Sequence, residues 1–194
     1  IPRRLLDLGF RFRFPSLDEA LGDVLDTDAV QIAPLPQAGE YVHELRTTAR
    51  VAAPLDEVFA FFSQPSNLAV MTPPRMRFRI LRAPPAMAEG GEIDYLIHIG
   101  PRDVAWRTRI DRWEPGVGFT DSQLAGPYRS WRHAHGFRAA GSDETIMEDR
   151  VVYAVPLGGL GIAANWLFVA PELRRIFSYR RDVVRLRFGL VDEP

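Results

Sequence analysis

From Arg75 to Val155 the chain keeps returning to a two-residue alternation, and no other feature restricts its fold as much. Met76, Phe78 and Ile80 alternate with Arg75, Arg77 and Arg79. Ile93, Tyr95, Ile97 and Ile99 recur over 92–99, and Val104, Trp106, Thr108 and Ile110 alternate with Arg107, Arg109 and Asp111. Successive side chains of a strand point to opposite faces, so each segment reads as a strand with an apolar side and an arginine-rich side. Segments at 118–124, 128–139 and 145–155 continue the series. Turn signals at Glu114-Pro115-Gly116 and Ala140-Gly141-Ser142-Asp143 separate some of them. A sheet with one wet face is antiparallel.

The flanks complete the architecture. Residues 41–52 alternate through His43, Leu45, Thr47, Ala49 and Val51 as a first strand. Pro54 then opens a helix over 55–62, with Val58, Phe59 and Phe62 as its apolar stripe. A second short helical turn over 65–71 stops at Thr72-Pro73-Pro74. At the far end Ile162, Trp166, Val169, Leu173, Ile176, Phe177, Val183 and Val184 recur at helical spacing, and Pro171 kinks or restarts that helix. One strand, two short helices, six more strands and a final helix do not alternate as βαβ units, so a doubly wound fold is excluded. The expectation is an α+β domain: a seven-stranded curved antiparallel sheet with two short helices after its first strand and a long C-terminal helix laid across its open side. Residues 40–194 form that domain. Residues 1–39 are an N-terminal segment, with an amphipathic piece over 1–25 and a linker over 27–39 that carries Pro34, Pro36 and Gly39.

Composition removes several functions. The formal charge is −1, which argues against a nucleic-acid surface. All 24 basic residues are arginine, so lysine Schiff-base chemistry is excluded. The absence of cysteine removes disulfides, a thiolate nucleophile and sulfur-ligated metals. No apolar run approaches the roughly 20 residues that span a bilayer, and there is no basic-then-apolar leader, so the expected location is cytoplasmic. A chain beginning with Ile1 reads as part of something longer.

The residues that carry chemistry centre on 126–137. Trp131, His133, His135 and Phe137 share one strand face, and two imidazoles on an aromatic wall suit a ligand cavity better than a solid core. If the turn at 140–143 is centred on Ser142, His135 lies opposite Asp149 and His133 opposite Val151. Met147, Asp149, Val151 and Tyr153 then point inward, with Glu148 and Arg150 outside. A His135–Asp149 pair would set the imidazole tautomer, for ligand contact, for general-base catalysis or simply as a buried structural pair. His133 and His135 could ligate a metal with Asp149, Asp121 or Glu148, but His-x-His alone is weak and no metal or other cofactor is expected. Arg180 falls within the apolar stripe of the last helix. It is either paired with Asp121 or Asp149, or an anchor for an acidic ligand group. Asp121 and Gln123 share a face with Phe119 and are polar contacts if that face is interior. Phe78, Tyr95, Trp106, Trp131, Tyr153 and Trp166 are the expected aromatic lining, with Tyr128 at the cavity mouth. Pro156 to Gly161 lacks the lysine and hydroxyl of a phosphate loop and reads as a hinge.

These motifs together resemble the SRPBCC or START-like superfamily over residues 41–189. They are Tyr41-Val42-His43-Glu44, Val51-Ala52-Ala53-Pro54, Pro65-Ser66-Asn67-Leu68, Thr72-Pro73-Pro74 and Trp113-Glu114-Pro115-Gly116. Phe119 to Gln123, Gly126-Pro127-Tyr128, Asp149, Val151, Tyr153 and Phe177-Ser178-Tyr179-Arg180 follow in order. The resemblance implies a helix-grip fold enclosing an apolar cavity for a hydrophobic small molecule. Separately, Pro2 to Leu6, Gly9-Phe10-Arg11-Phe12, Phe14-Pro15 and Leu17 to Leu25 resemble the C-terminal tail of SulA-like NAD-dependent epimerases. That implies an accessory domain fused to an epimerase. This stretch has neither a phosphate-binding glycine loop nor a Tyr-x-x-x-Lys dyad, so it performs no redox chemistry alone. The leading expectation is therefore a binding module for a hydrophobic or aromatic molecule. The alternatives are a polyketide cyclase or dehydratase using His135 with Asp149, and a structural domain whose cavity is filled.

Overall fold

In the computed structural model, residues 29–37, 40–156 and 158–191 are described; the amphipathic segment expected at 1–25 lies outside them. Eight strands form one antiparallel sheet: β1 (Val30–Gln37), β2 (Glu40–Val51), β3 (Arg79–Arg82), β4 (Glu92–Ile99), β5 (Arg102–Glu114), β6 (Gly118–Ala125), β7 (Ser130–Ala139) and β8 (Thr145–Ala154). Their spatial order is β1-β2-β8-β7-β6-β5-β4-β3. Strands β3 to β8 are sequential neighbours, as short hairpin connections dictate. The one long crossing, from β2 to β3, carries α1 (Leu55–Phe62), α2 (Asn67–Val70) and a 3₁₀ turn (Pro74–Met76) from one side of the sheet to the other. The chain closes with α3 (Gly159–Ala164), a π-helical stretch (Asn165–Val169) and α4 (Ala170–Phe188).

Three expectations are corrected. The sheet has eight strands rather than seven, because 30–37, expected to be linker, pairs along its whole length with β2. Pro34 and Pro36 are compatible with that role because β1 is an edge strand, where a missing N–H costs no ladder bond. The strand expected from Met76 begins at Arg79, since Pro73 and Pro74 set a 3₁₀ turn and Arg77 takes a left-handed conformation (φ 43°) before it. The last helix does not keep one stripe. Its π-helical stretch precedes Pro171, which has no N–H to donate, and the extra residue in that turn rotates everything upstream relative to α4. Leu173, Phe177 and Val184 are buried accordingly, whereas Ile162 and Trp166 are 44% and 76% exposed.

The sheet's outer face is laced with ion pairs such as Glu44–Arg46 (2.7 Å) and Asp94–Arg107 (2.5 Å). Being exposed, they contribute solubility more than stability. Bulges at Leu124 of β6 and Asp111 of β5 bend the sheet, and α4 lies on the inner face across β1 and β2. The core sits between. One apolar cluster joins α1 (Val58, Phe59, Phe61, Phe62) to Ile110, Phe119, Phe137, Met147 and the end of α4. A second joins Val30, Leu45, Val151 and Tyr153 to Leu173 and Phe177. Among the described residues no helix is long and apolar enough to cross a membrane.

Candidate functional site

Register places the polar residues. On β7, His133 lies opposite Val151 of β8 and Asp121 of β6; His135 lies opposite Asp149 and Phe119. This is the pairing expected from the hairpin, with Met147, Asp149, Val151 and Tyr153 buried and Glu148 and Arg150 outside. Strand β6 can approach β7 here because position 118 is glycine: a Cβ on Gly118 would stand 2.1 Å from the carbonyl oxygen of His135.

Three charged groups, Asp149, Arg180 and Asp121, meet behind and beside the two imidazoles. Asp149, buried with its side chain 1% exposed, accepts from His133 Nε2–H at 3.0 Å on Oδ1, and His135 Nδ1 lies 2.9 Å from the same oxygen. Arg180 reaches in from α4, with Nη2 3.2 Å from His135 Nδ1 and 3.6 Å from Asp149 Oδ1. Its guanidinium also lies over the Phe62 and Phe177 rings, at 5.1 and 5.7 Å. On the cavity side, Asp121 Oδ2 is 3.4 Å from His135 Nε2, and Asp121 Oδ1 accepts a 2.9 Å hydrogen bond from Thr108 Oγ1. His135 Nδ1 therefore sits between one donor and one acceptor. With its proton on Nε2, Arg180 donates to Nδ1; with the proton on Nδ1, Asp149 accepts it.

The environment sorts the protonation states. Burial, reinforced by the neighbouring His135 charge, pushes His133 down to about 4 despite the opposing carboxylates, so it is neutral at physiological pH. Burial alone would raise Asp149, but the Arg180 charge and the hydrogen bonds from His133 and His135 outweigh it and hold the carboxyl well below its ordinary range. Asp121 behaves likewise: burial opposes ionisation, and His135, His133 and Thr108 overcome it.

Beyond this cluster lies a cavity of about 280 Å³, bounded by the sheet, by the α1–α2 crossing and by α4. Phe78, Tyr95, Trp106, Asp121, Trp131, His133, His135 and Arg180 all line it, as the sequence suggested. Three expected residues do not. Gln123 instead clamps the 126–128 turn, donating from Nε2 to the Tyr128 carbonyl at 2.8 Å and accepting from the Tyr128 N–H at 3.3 Å. Tyr153 is fully buried beneath the wall, where its hydroxyl donates to Asn165 Oδ1 at 2.9 Å. Trp166 is turned to solvent by the π-helical stretch. Sequence reasoning missed lining from Met71, Met76 and Phe119, and from Leu173 and Ile176 on α4. The helix periodicity contained the last two, but which stripe residues border a void depends on how far the helix stands off. Burial lifts the hydroxyl pKa of Tyr95 and of Tyr128 above the ordinary range, so both remain proton donors. Among the described residues, buried Trp106 Nε1 has no hydrogen-bond partner, although its ring packs against Tyr95, Tyr128 and Trp131.

Donor atoms of Asp121, His133 and His135 lie within 4.8 Å of one another and form the one candidate metal set found among the described residues. Glu148 and Asp149, the other expected ligands, do not join it: the first points outward and the second lies behind the imidazoles. Arg180 lies on the far side of His135 from Asp121, with Nη2 3.2 Å from His135 Nδ1 while Asp121 faces Nε2.

Comparison with known proteins separates the two parts of the chain. Residues 1–24 match a family described as a domain of unknown function, DUF1731. No curated protein matches the sequence. Solved structures do. The Zhui aromatase/cyclase from Streptomyces sp. R1128 aligns over 75% of this chain and 95% of its own, with a TM-score of 0.55 and 15% identity. A truncated norcoclaurine synthase from Thalictrum flavum covers 77% and 98%, at 0.55 and 14%. A START superfamily protein from Mycobacterium smegmatis covers 74% and 98%, at 0.54 and 14%. The fold is START-like. At such identities the likeness establishes architecture and nothing about chemistry.

Proposed function

We propose that this START-like domain binds a hydrophobic, ring-bearing small molecule in the cavity between sheet and α4. The observation that carries the reading is an aromatic-walled space of about 280 Å³ bordered by Tyr95, Trp106, Tyr128 and Trp131. Stability alone favours a filled core, because lining atoms beside a void lose their dispersion contacts. Trp106 and Trp131 border the space rather than fill it, and Trp166 is outside, which counts against a purely structural domain. The site residues proposed are Phe78, Tyr95, Trp106, Asp121, Trp131, His133, His135 and Arg180.

Naphthol, a neutral two-ring probe, should quench tryptophan fluorescence saturably. Ile97→Trp, which fills the space from β4, should weaken that binding at least about tenfold. No binding, or binding indifferent to the plug, would overturn the reading.

A second reading has its own observation. His135 faces the cavity with Asp149 behind it at 2.9 Å, the arrangement of a general acid–base with an orienting carboxylate. In a cyclase- or dehydratase-like enzyme, His135→Gln would retain ligand binding and abolish turnover; equal turnover in the variant would remove this reading. We also propose that the domain is an accessory module of an epimerase-type fusion, a reading supported by the resemblance over the first two dozen residues alone, since the family matched there is described as one of unknown function. An intact mass of the natural protein large enough for a nucleotide-binding domain ahead of Ile1 would support it.

A further inference from the structure

The polar end of the cavity is charge-asymmetric. Asp121 and Asp149 contribute two negative charges and Arg180 one positive charge. With both imidazoles neutral the cluster carries −1, and with one imidazolium it is neutral. Neither state is positive. Arg180, the group that would grip an anion, already contacts Asp149 and His135 and is flanked by the Phe62 and Phe177 rings. Asp121 and Arg180 both line the cavity, but the Asp121 carboxylate, unlike the guanidinium, has no fixed opposite charge paired with it among the described residues. Thr108 bonds one Asp121 oxygen, and His135 approaches the other only at 3.4 Å, so the carboxylate retains acceptor capacity. Next to this cluster Tyr95, Trp106, Tyr128 and Trp131 present faces and edges with ring centroids 4.8–5.8 Å apart. Such a cage favours a planar ring and tolerates a cation. Glu172, at the mouth, is paired with Arg75 at 2.8 Å and does not change the sign.

From this geometry we infer that the ligand is a ring compound bearing a protonated amine, its ammonium on Asp121 and its ring in the aromatic cage. Carboxylates of the same size are rejected. This rests on the binding reading above and deepens it by giving the ligand a charge. It also replaces the sequence-based option that Arg180 anchors an acidic group. The amine is favoured because a buried carboxylate recovers its lost hydration from a cation, whereas an anion beside Asp121 would be repelled in a poorly screened site.

The test is calorimetric titration of the unmodified protein near neutral pH with three matched probes of one ring isomer: naphthylmethylamine, naphthylmethanol and naphthoate. The expected order of affinity is amine, then alcohol, then carboxylate, with at least about a tenfold gap between first and last. In Asp121→Asn that gap should shrink towards unity while the alcohol still binds. Thr108→Val, which leaves the carboxylate in place, should keep the order and guards against a misfolded Asp121 variant. Equal or reversed affinities of amine and carboxylate in the unmodified protein, with the alcohol bound, would overturn the inference alone. Failure of all three probes would overturn the binding reading and the inference with it.

Discussion

At the α1 end of the inner face, Phe59 and Phe62 pack on Phe137 at ring distances of 5.6 and 5.3 Å, and Phe61 meets Phe188 at 5.5 Å. At the other end, Trp106, Trp131 and Tyr128 contact one another at similar distances, 4.8–5.5 Å, yet surround open space. The same strands run through both ends: β7 carries Trp131 in the hollow part and Phe137 in the solid part, with His133 and His135 between them. Ring content therefore does not decide which end is hollow. The solid end is plugged by α1, a third element delivered by the β2–β3 crossing. At the hollow end, the chain before α4 turns outward through the π-helical stretch and leaves Trp166 in solvent. Arg180 and Asp149 mark the boundary, an ion pair clasping helix to sheet where packing gives way to space.

The largest effect should come from breaking that clasp. Asp149→Ala leaves the Arg180 guanidinium buried without its carboxylate and strips two imidazoles of their acceptor, so urea unfolding should show a loss of about 3–5 kcal/mol. A loss below about 1 kcal/mol would mean that helix and sheet do not depend on the boundary pair. The contrast between the ends is sharpened by truncating one ring in each. Phe137→Ala should cost about 3–5 kcal/mol, the usual price of a buried phenyl. Trp131→Ala, already bordering a void, should cost about 1–2 kcal/mol, because fewer packing contacts are lost. Equal costs would show that the two ends are packed alike.

A further effect is a slope with pH. His133 has a folded-state pKa of about 4 against an ordinary value of 6.5. Between those values the unfolded chain binds the extra proton, so stability rises with pH across the window and falls on acidification. This group contributes at most about 1.4 kcal/mol per pH unit. Asp149, depressed by burial-opposing contacts with Arg180 and the imidazoles, adds stability that is present above its unfolded pKa and is lost only at still lower pH. Denaturant midpoints followed from neutral to acid pH should show the first loss in the wild type and a flatter profile over the same range in His133→Phe. An identical slope in that variant would mean that His133 is not the buried neutral group described.

Much of this was legible in the residue order. Alternation placed β2 and β4 to β8 within a few residues, and the hairpin turn gave the His135–Asp149 register, because side-chain period and loop length both act locally. The errors share a cause. β1 was hidden because an edge strand needs pairing on one side only and so tolerates Pro34 and Pro36. Regular helical periodicity places Trp166 inward, but the π-helical turn adds a residue without any marker except Pro171 and turns it out. Tyr153 points to the expected side but its hydroxyl is taken up by Asn165, and Gln123, expected as a polar contact on the wall, is taken up by the Tyr128 backbone; no sequence spacing reveals such partners.

Residue order alone determined that this chain makes an antiparallel sheet with a basic outer face, an aromatic inner face carrying two histidines, and a helix to cover it. Period, proline placement and turn chemistry act over a few bonds and need no knowledge of the rest of the molecule. Only the tertiary structure decided that one end of that face closes and the other stays open, that Arg180 is held by Asp149, and that Asp121 and Arg180 both border the space. Those outcomes depend on how far α4 stands from the sheet and on which element plugs each end, distances set by the sum of many packing contacts.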